Sequence, residues 1–244
     1  SNTPPRVAYL HGMLGTAPEQ PFLTELEKRG IRAVAPTLPG FSGTPPAEDW
    51  RGLIDWIGEL SAIIDRLGLA GCRAVASSLG GMLALELAAI RPEAFTELIL
   101  IAPLGLWDDE EPIADVVGAT PRSQRALLVK QPERLACFYE DTPGLDQEQA
   151  IEEKVARYVS RTTMAAMLWP IPEFGLKSRL HRIRCPVHLV WGEDDRVVPR
   201  SYAERLRAGL PRVAGLHLVP EAGHLAEWDQ PEAVADIVAA VWSK

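Results

Sequence analysis

The chain has 244 residues, 47 % of them hydrophobic and 24 % charged, with a formal charge of −8. That length fits one domain, or one domain carrying an insertion, with enough chain to bury a substantial core. The acidic balance argues against a nucleic-acid partner, which needs a basic face, and no apolar run approaches the ~20 residues that span a bilayer.

Ser1 and Asn2 have the look of a tag remnant and are set aside, and the N-terminus has no apolar stretch of the secretory kind. Cys72, Cys137 and Cys185 are far apart, without a C-x-x-C pair. They read as buried small hydrophobes, so neither a zinc site nor a disulfide framework is expected, and reduced thiols point to a cytoplasmic protein. The densest basic stretch, Lys177, Arg179, Arg182 and Arg184, reads as one solvated helix face.

In chain order, strands and helices alternate. Arg6 to Leu10 is a short β run, followed by the loop His11-Gly12-Met13-Leu14-Gly15. Glu19 to Arg29 has helical spacing and Gly30 suits its C-terminal cap. Ile31 to Ala35 is the next strand, and Leu38 to Pro46, rich in Gly, Pro, Ser and Thr, is loop. The spacing predicts a long amphipathic helix over Trp50 to Leu67, with Leu53, Ile57, Leu60, Ile64 and Leu67 on its buried stripe. A strand at Arg73 to Ala76 leads into Leu79 to Ile90, apolar on nearly all sides and so a buried helix. Leu98 to Ala102 lacks alternation, as a parallel strand covered on both faces does. Val187 to Trp191 and Leu216 to Val219 are two further strands, with helices at Arg200 to Ala208 and Pro231 to Trp242. This alternation predicts an α/β fold with a mostly parallel sheet and helices on both faces.

One stretch breaks the rhythm. Residues 104–178 hold helical patches (Ser123 to Val129, Pro132 to Tyr139, Gln147 to Arg161) but no strand. They read as a helical cap inserted in a core formed by residues 1–103 and 179–244.

The sequence Val75-Ala76-Ser77-Ser78-Leu79-Gly80-Gly81 joins a strand to the buried helix. A nucleophile on so tight a turn needs small residues two before and two after it. Ser78 has Ala76 and Gly80 there, whereas Ser77 has Val75 and Leu79. The motif alone also suits a plain N-cap serine before Leu79.

With three further motifs in order, the chain resembles an α/β-hydrolase from its first strand to its last helix. These are the loop His11–Gly15, the turn Gly192-Glu193-Asp194-Asp195-Arg196-Val197-Val198-Pro199, and Gly223-His224. The order Ser, acid, His is the one that fold uses. Of five histidines, His188 and His217 lie inside strands, His181 lies on the basic stretch, and His11 shapes the first loop. His224 sits after the last strand, where catalytic groups collect in open sheets. By the spacing to Gly192 and Pro199, the resemblance implies Asp195 as the acid; Asp108 and Asp109 occupy an alternative position used by some relatives. It also implies an oxyanion hole from the Met13 and Leu79 amides, and no cofactor or metal.

Relatives usually carry an antiparallel strand pair before the first loop. Only five residues precede Arg6, so a six-stranded sheet is expected. In the cap, Trp107, Phe138, Tyr139, Met164, Met167, Leu168 and Trp169, with Trp228 nearby, either line an apolar pocket or form the cap's own core. Trp107, Phe138, Met164, Trp169 and Trp228 are the candidate substrate contacts. The expected reaction is hydrolysis of a small or medium hydrophobic ester by an acyl-enzyme route. Two alternatives stay open: cleavage of carbon–carbon bonds in vinylogous diketone acids, which uses the same triad plus a basic group that the sequence does not place, and a non-enzymatic ligand-binding protein. Oligomeric state is not legible.

Overall fold

The computed structural model describes residues 7–47, 49–50 and 52–243. Arg6 and Arg51, included in two of the expected elements, lie outside the described residues. In chain order the elements are β1 (Val7–Leu10), α1 (Pro21–Lys28), β2 (Ala33–Val34), α2 (Leu53–Arg66), β3 (Cys72–Ser77), α3 (Ser78–Ile90) and β4 (Phe95–Ile101). Then come α4 (Pro121–Leu128), α5 (Ala136–Tyr139), α6 (Gln147–Leu168), β5 (Val187–Gly192), α7 (Ser201–Gly209), β6 (Val213–Val219), α8 (Ala226–Asp229) and α9 (Pro231–Trp242). The sheet has six strands in the order β2-β1-β3-β4-β5-β6. All its pairings are parallel.

Strand side chains sort onto two faces by the period-2 rule. Ala8, Leu10, Ala74, Ala76, Leu98, Leu100, Leu189 and Trp191 pack with α2, α3 and α7. Tyr9, Val75, Ile99, Ile101 and Val190 pack with α1 and α9. The result is three layers. As the continuous apolar pattern implies, α3 is buried on all sides until Ile90.

Several details differ from expectation. The buried face of α2 is Trp56, Ile57, Leu60, Ile63 and Ile64, while Leu67 is exposed; the tryptophan draws the packed stripe round the helix toward Trp50 and Phe41. The basic stretch is no helix face but two short 3₁₀ turns. Within it Arg179 holds the buried carboxylate of Glu86 through two bonds, at 2.8 and 2.6 Å. A charge sunk that deep requires such pairing. Helix α6 runs on to Leu168, seven residues beyond Arg161. Cys72 and Cys185 are buried, but Cys137 is exposed. No helix among the described residues is long and apolar enough to cross a membrane.

Candidate active site

The carboxyl ends of β1, β3, β5 and β6 converge, and each delivers one part of the site. Ser78 opens α3 directly after β3 with φ 50°, a strained conformation for a residue with a Cβ. The reason Gly80 must be glycine is specific: a Cβ there would lie 2.5 Å from the carbonyl oxygens of both Leu10 and His11. The crowding that forbids a side chain therefore comes from the end of β1, not from residue 76.

Ser78 and His224 are both completely buried. The Ser78 hydroxyl donates to Nε2 of His224 at 2.8 Å. Nδ1 of His224 lies 3.0 Å from Oδ2 of Asp195. The other Asp195 oxygen, Oδ1, accepts from the amides of Val197 (2.8 Å) and Val198 (2.9 Å), which fixes the carboxylate plane. The structure thus brings Ser78, His224 and Asp195 into one line. It does not bring Asp108 or Asp109 there. Asp108 pairs with Arg205, and Asp109 accepts from Nε1 of Trp107 at 2.8 Å. Asp194, beside Asp195, pairs with Lys130 at 2.7 Å.

The loop after β1 faces the same spot. Gly12 accepts from the Gly15 amide at 3.2 Å, closing a turn with Met13 on it. A Cβ on Gly12 would sit 3.5 Å from Cβ of Ser78, so the loop is pressed against the serine. Leu79 is in the first turn of α3, where amides have no acceptor within the helix and the dipole is positive.

His11 shapes this loop, as the sequence implies. Its Nδ1 bonds to Gly12 C=O at 2.8 Å, and its Nε2 accepts from the Leu38 amide at 3.1 Å. Burial without a counter-charge lowers its pKa from 6.5 to about 4, so the folded protein keeps it neutral. Between those values the unfolded chain binds a proton that the folded one refuses, so stability is full above about pH 6.5 and falls as pH drops toward about 4. At ~1.4 kcal/mol per pH unit the loss is about 3 kcal/mol. Denaturant unfolding at pH 7.5 and 4.5 should therefore show a steeper acid loss in the natural chain than in His11→Gln; equal losses would contradict the assignment.

Beside Ser77 lies a second buried group. Glu227 is 1 % exposed, with Oε1 accepting from Tyr9 at 3.3 Å, and burial holds its carboxyl above the usual range.

A cavity of about 210 Å³ begins at Met13 and extends between the loop after β1 and the helices α5 and α6. Phe138, Tyr139 and Met164 line it, and so do Cys137, Arg157 and Arg161; Met164 is also part of the buried core. Three expected contacts do not. Trp107 is turned to Asp109, and Trp169 is 62 % exposed at the end of α6. Trp228 packs edge-on behind Phe138, with ring centroids 5.3 Å apart. Met167 and Leu168 belong to the core. Arg157 is neutralised by Asp141 and Glu153, whereas Arg161 has no acidic partner among the described residues. Residues 153, 157, 160, 161 and 164 share one face of α6. Ending the helix at Arg161 hides that face, because Met164 then has no helical register to join.

A family model described as the alpha/beta hydrolase family matches residues 7–237. The chain belongs to that family. A 2-hydroxy-6-oxononadienedioate/2-hydroxy-6-oxononatrienedioate hydrolase of Comamonas testosteroni is 28% identical to this α/β-hydrolase, over 84% of this chain and 75% of its own. A 2-hydroxy-6-oxo-6-phenylhexa-2,4-dienoate hydrolase of Burkholderia cepacia is also 28% identical, over 84% of this chain and 74% of its own. Among solved structures, the 2-hydroxy-6-oxo-6-phenylhexa-2,4-dienoate hydrolase of Rhodococcus sp. strain RHA1 superposes with a TM-score of 0.74 at 20% identity, covering 98% of this chain and 91% of that one. Both curated relatives are named as hydrolases of 2-hydroxy-6-oxo acids, not as ester hydrolases.

Proposed function

We propose that this α/β-hydrolase cleaves a carbon–carbon bond in a vinylogous diketo acid, with Ser78 as nucleophile, His224 as base and Asp195 as the acid that orients it. Residues 104–178 act as a cap over the site. The observation that supports the substrate class is Arg161, an exposed cation without an acidic partner among the described residues, on the wall of a cavity that Met13 also lines. A neutral ester gives it nothing to bind, whereas a substrate carboxylate does. The names of the relatives point the same way.

The geometry supports the following course. His224 takes the proton as Ser78 Oγ adds to the ketone carbonyl, and the Met13 and Leu79 amides hold the oxyanion. Collapse breaks the carbon–carbon bond and leaves the acyl group on Ser78. From the 2-hydroxy dienoate this requires the 2-oxo tautomer, in which the carbon beside the attacked ketone is saturated; its electron pair then delocalises through the adjacent alkene onto the 2-oxo oxygen, and the leaving dienolate takes the proton from His224. Water, deprotonated by His224, then releases the acid and restores Ser78. The carboxylate end held by Arg161 is thus the end that stabilises the leaving carbanion. The cavity is smaller than the ~300–1,000 Å³ of most ligand pockets, and Ser78 is covered, so substrate admission requires the cap to shift.

The test sets 2-hydroxy-6-oxo-6-phenylhexa-2,4-dienoate beside p-nitrophenyl esters of increasing acyl length. The diketo acid should have the higher kcat/KM. Arg161→Met should lower kcat/KM for the acid about 10- to 100-fold, the worth of one charged hydrogen bond, and leave a neutral ester unchanged. Ester turnover with no loss of the diketo acid would return the protein to the esterase reading, and no fluorophosphonate adduct on Ser78 would favour a binder.

A further inference from the structure

The backbone on both sides of His224 is tied to one stretch of the inserted segment, residues 128–131. The Leu225 amide donates directly to Leu128 C=O at 2.9 Å. On the other side, the Gly223 amide donates to Oδ2 of Asp229 at 2.8 Å. The same carboxylate accepts from the Lys130 amide at 2.9 and 3.1 Å, and from the Gln131 amide at 3.1 Å. Asp229 is 1 % exposed, and three backbone donors occupy both of its oxygens.

Two further contacts close the assembly. Nζ of Lys130 reaches Asp194 and Glu221, each at 2.7 Å, so one side chain spans the acid's turn and the start of the His224 loop. At Gly223 there is no slack: a Cβ would lie 3.1 Å from Leu128 O and 3.1 Å from Cα of Val129. Residues 128–131 therefore touch the loops of both the base and the acid.

We propose that Asp229 is a positioning residue for His224, locking the His224 loop onto residues 128–131 so that the inserted segment forms part of the support of the base. The 2.8 Å contact from His224 to Ser78 needs such support. A displacement of about 1 Å in a reacting constellation can cost about 100-fold in rate. The proposal rests on the serine–histidine reading of the site but not on the choice of substrate.

Its test uses p-nitrophenyl acetate, a small activated ester that the triad reading covers whichever substrate is natural, at a temperature where circular dichroism shows each variant folded. Asp229→Asn keeps one acceptor oxygen for three donors. It should lower kcat about 10- to 100-fold with KM within about 2-fold, the signature of a misplaced base rather than of weakened binding. Gly223→Ala pushes residues 128–131 off the loop without touching the carboxylate and should show the same split; it also serves should Asp229→Asn not fold. A folded variant of either kind that keeps kcat within about 2-fold overturns the proposal. Ser78→Ala, run alongside, separates the two failures: if it keeps activity, the serine–histidine reading falls first.

Discussion

Ser78→Ala should remove about 10⁴- to 10⁶-fold of turnover on either substrate class, since loss of the nucleophile leaves only binding and the oxyanion donors. The reasons are local. The Ser78 hydroxyl is the one that meets Nε2 of His224, at 2.8 Å. Its neighbour Ser77 is also buried and lies beside Glu227, and its hydroxyl makes no hydrogen bond to His224. Cys137 lines the cavity, but although the residue is exposed its thiol is partly desolvated and its pKa raised, which disfavours the thiolate. Purified Ser78→Ala that keeps a tenth of the natural kcat would exclude Ser78 as nucleophile.

Asp195→Asn should cost on the order of 10⁴ in kcat, and the hydrogen bonds explain why more fully than the charge does. Oδ1 of Asp195 already accepts from the amides of Val197 and Val198. An asparagine must put its oxygen there, so its NH₂ faces Nδ1 of His224. The imidazole then has to accept at Nδ1 and carry its proton on Nε2, the tautomer that cannot take a proton from Ser78. By the same logic Asp108→Asn and Asp109→Asn leave turnover near normal, because those carboxylates serve Arg205 and Trp107. The two sets of kcat values, measured side by side, check the assignment. Near-normal turnover in Asp195→Asn would contradict it.

Much of the scaffold is legible in the sequence because it rests on local rules. The apolar run at Leu98 and the all-round apolar α3 announce a covered parallel sheet, and the step from strand to helix at Ser78 is marked by its small neighbours. What stays hidden depends on contacts distant in sequence. Gly80 reads as a local requirement of the serine turn, yet the atoms that exclude a side chain belong to Leu10 and His11. Arg179 looks like surface charge until Glu86, 93 residues away, is seen to hold it. The choice between Asp195 and Asp108 is open on spacing alone and turns on a contact between residues 29 apart, from Asp195 to His224. Arg161 falls at the edge of a helix whose end the Thr162-Thr163 pair obscures, since β-branched residues weaken helical preference without ending the helix here. Asp229 reads as one more acid before Pro231, and nothing in the sequence says that three amides converge on it.

The account stands or falls on the reactivity of one hydroxyl. Treating the purified protein with a fluorophosphonate and measuring intact and peptide masses tests it most directly. The expected result is one adduct per chain, on the peptide carrying Ser78, absent from Ser78→Ala and strongly slowed in Asp195→Asn. No adduct, or an adduct on another residue, would contradict the account.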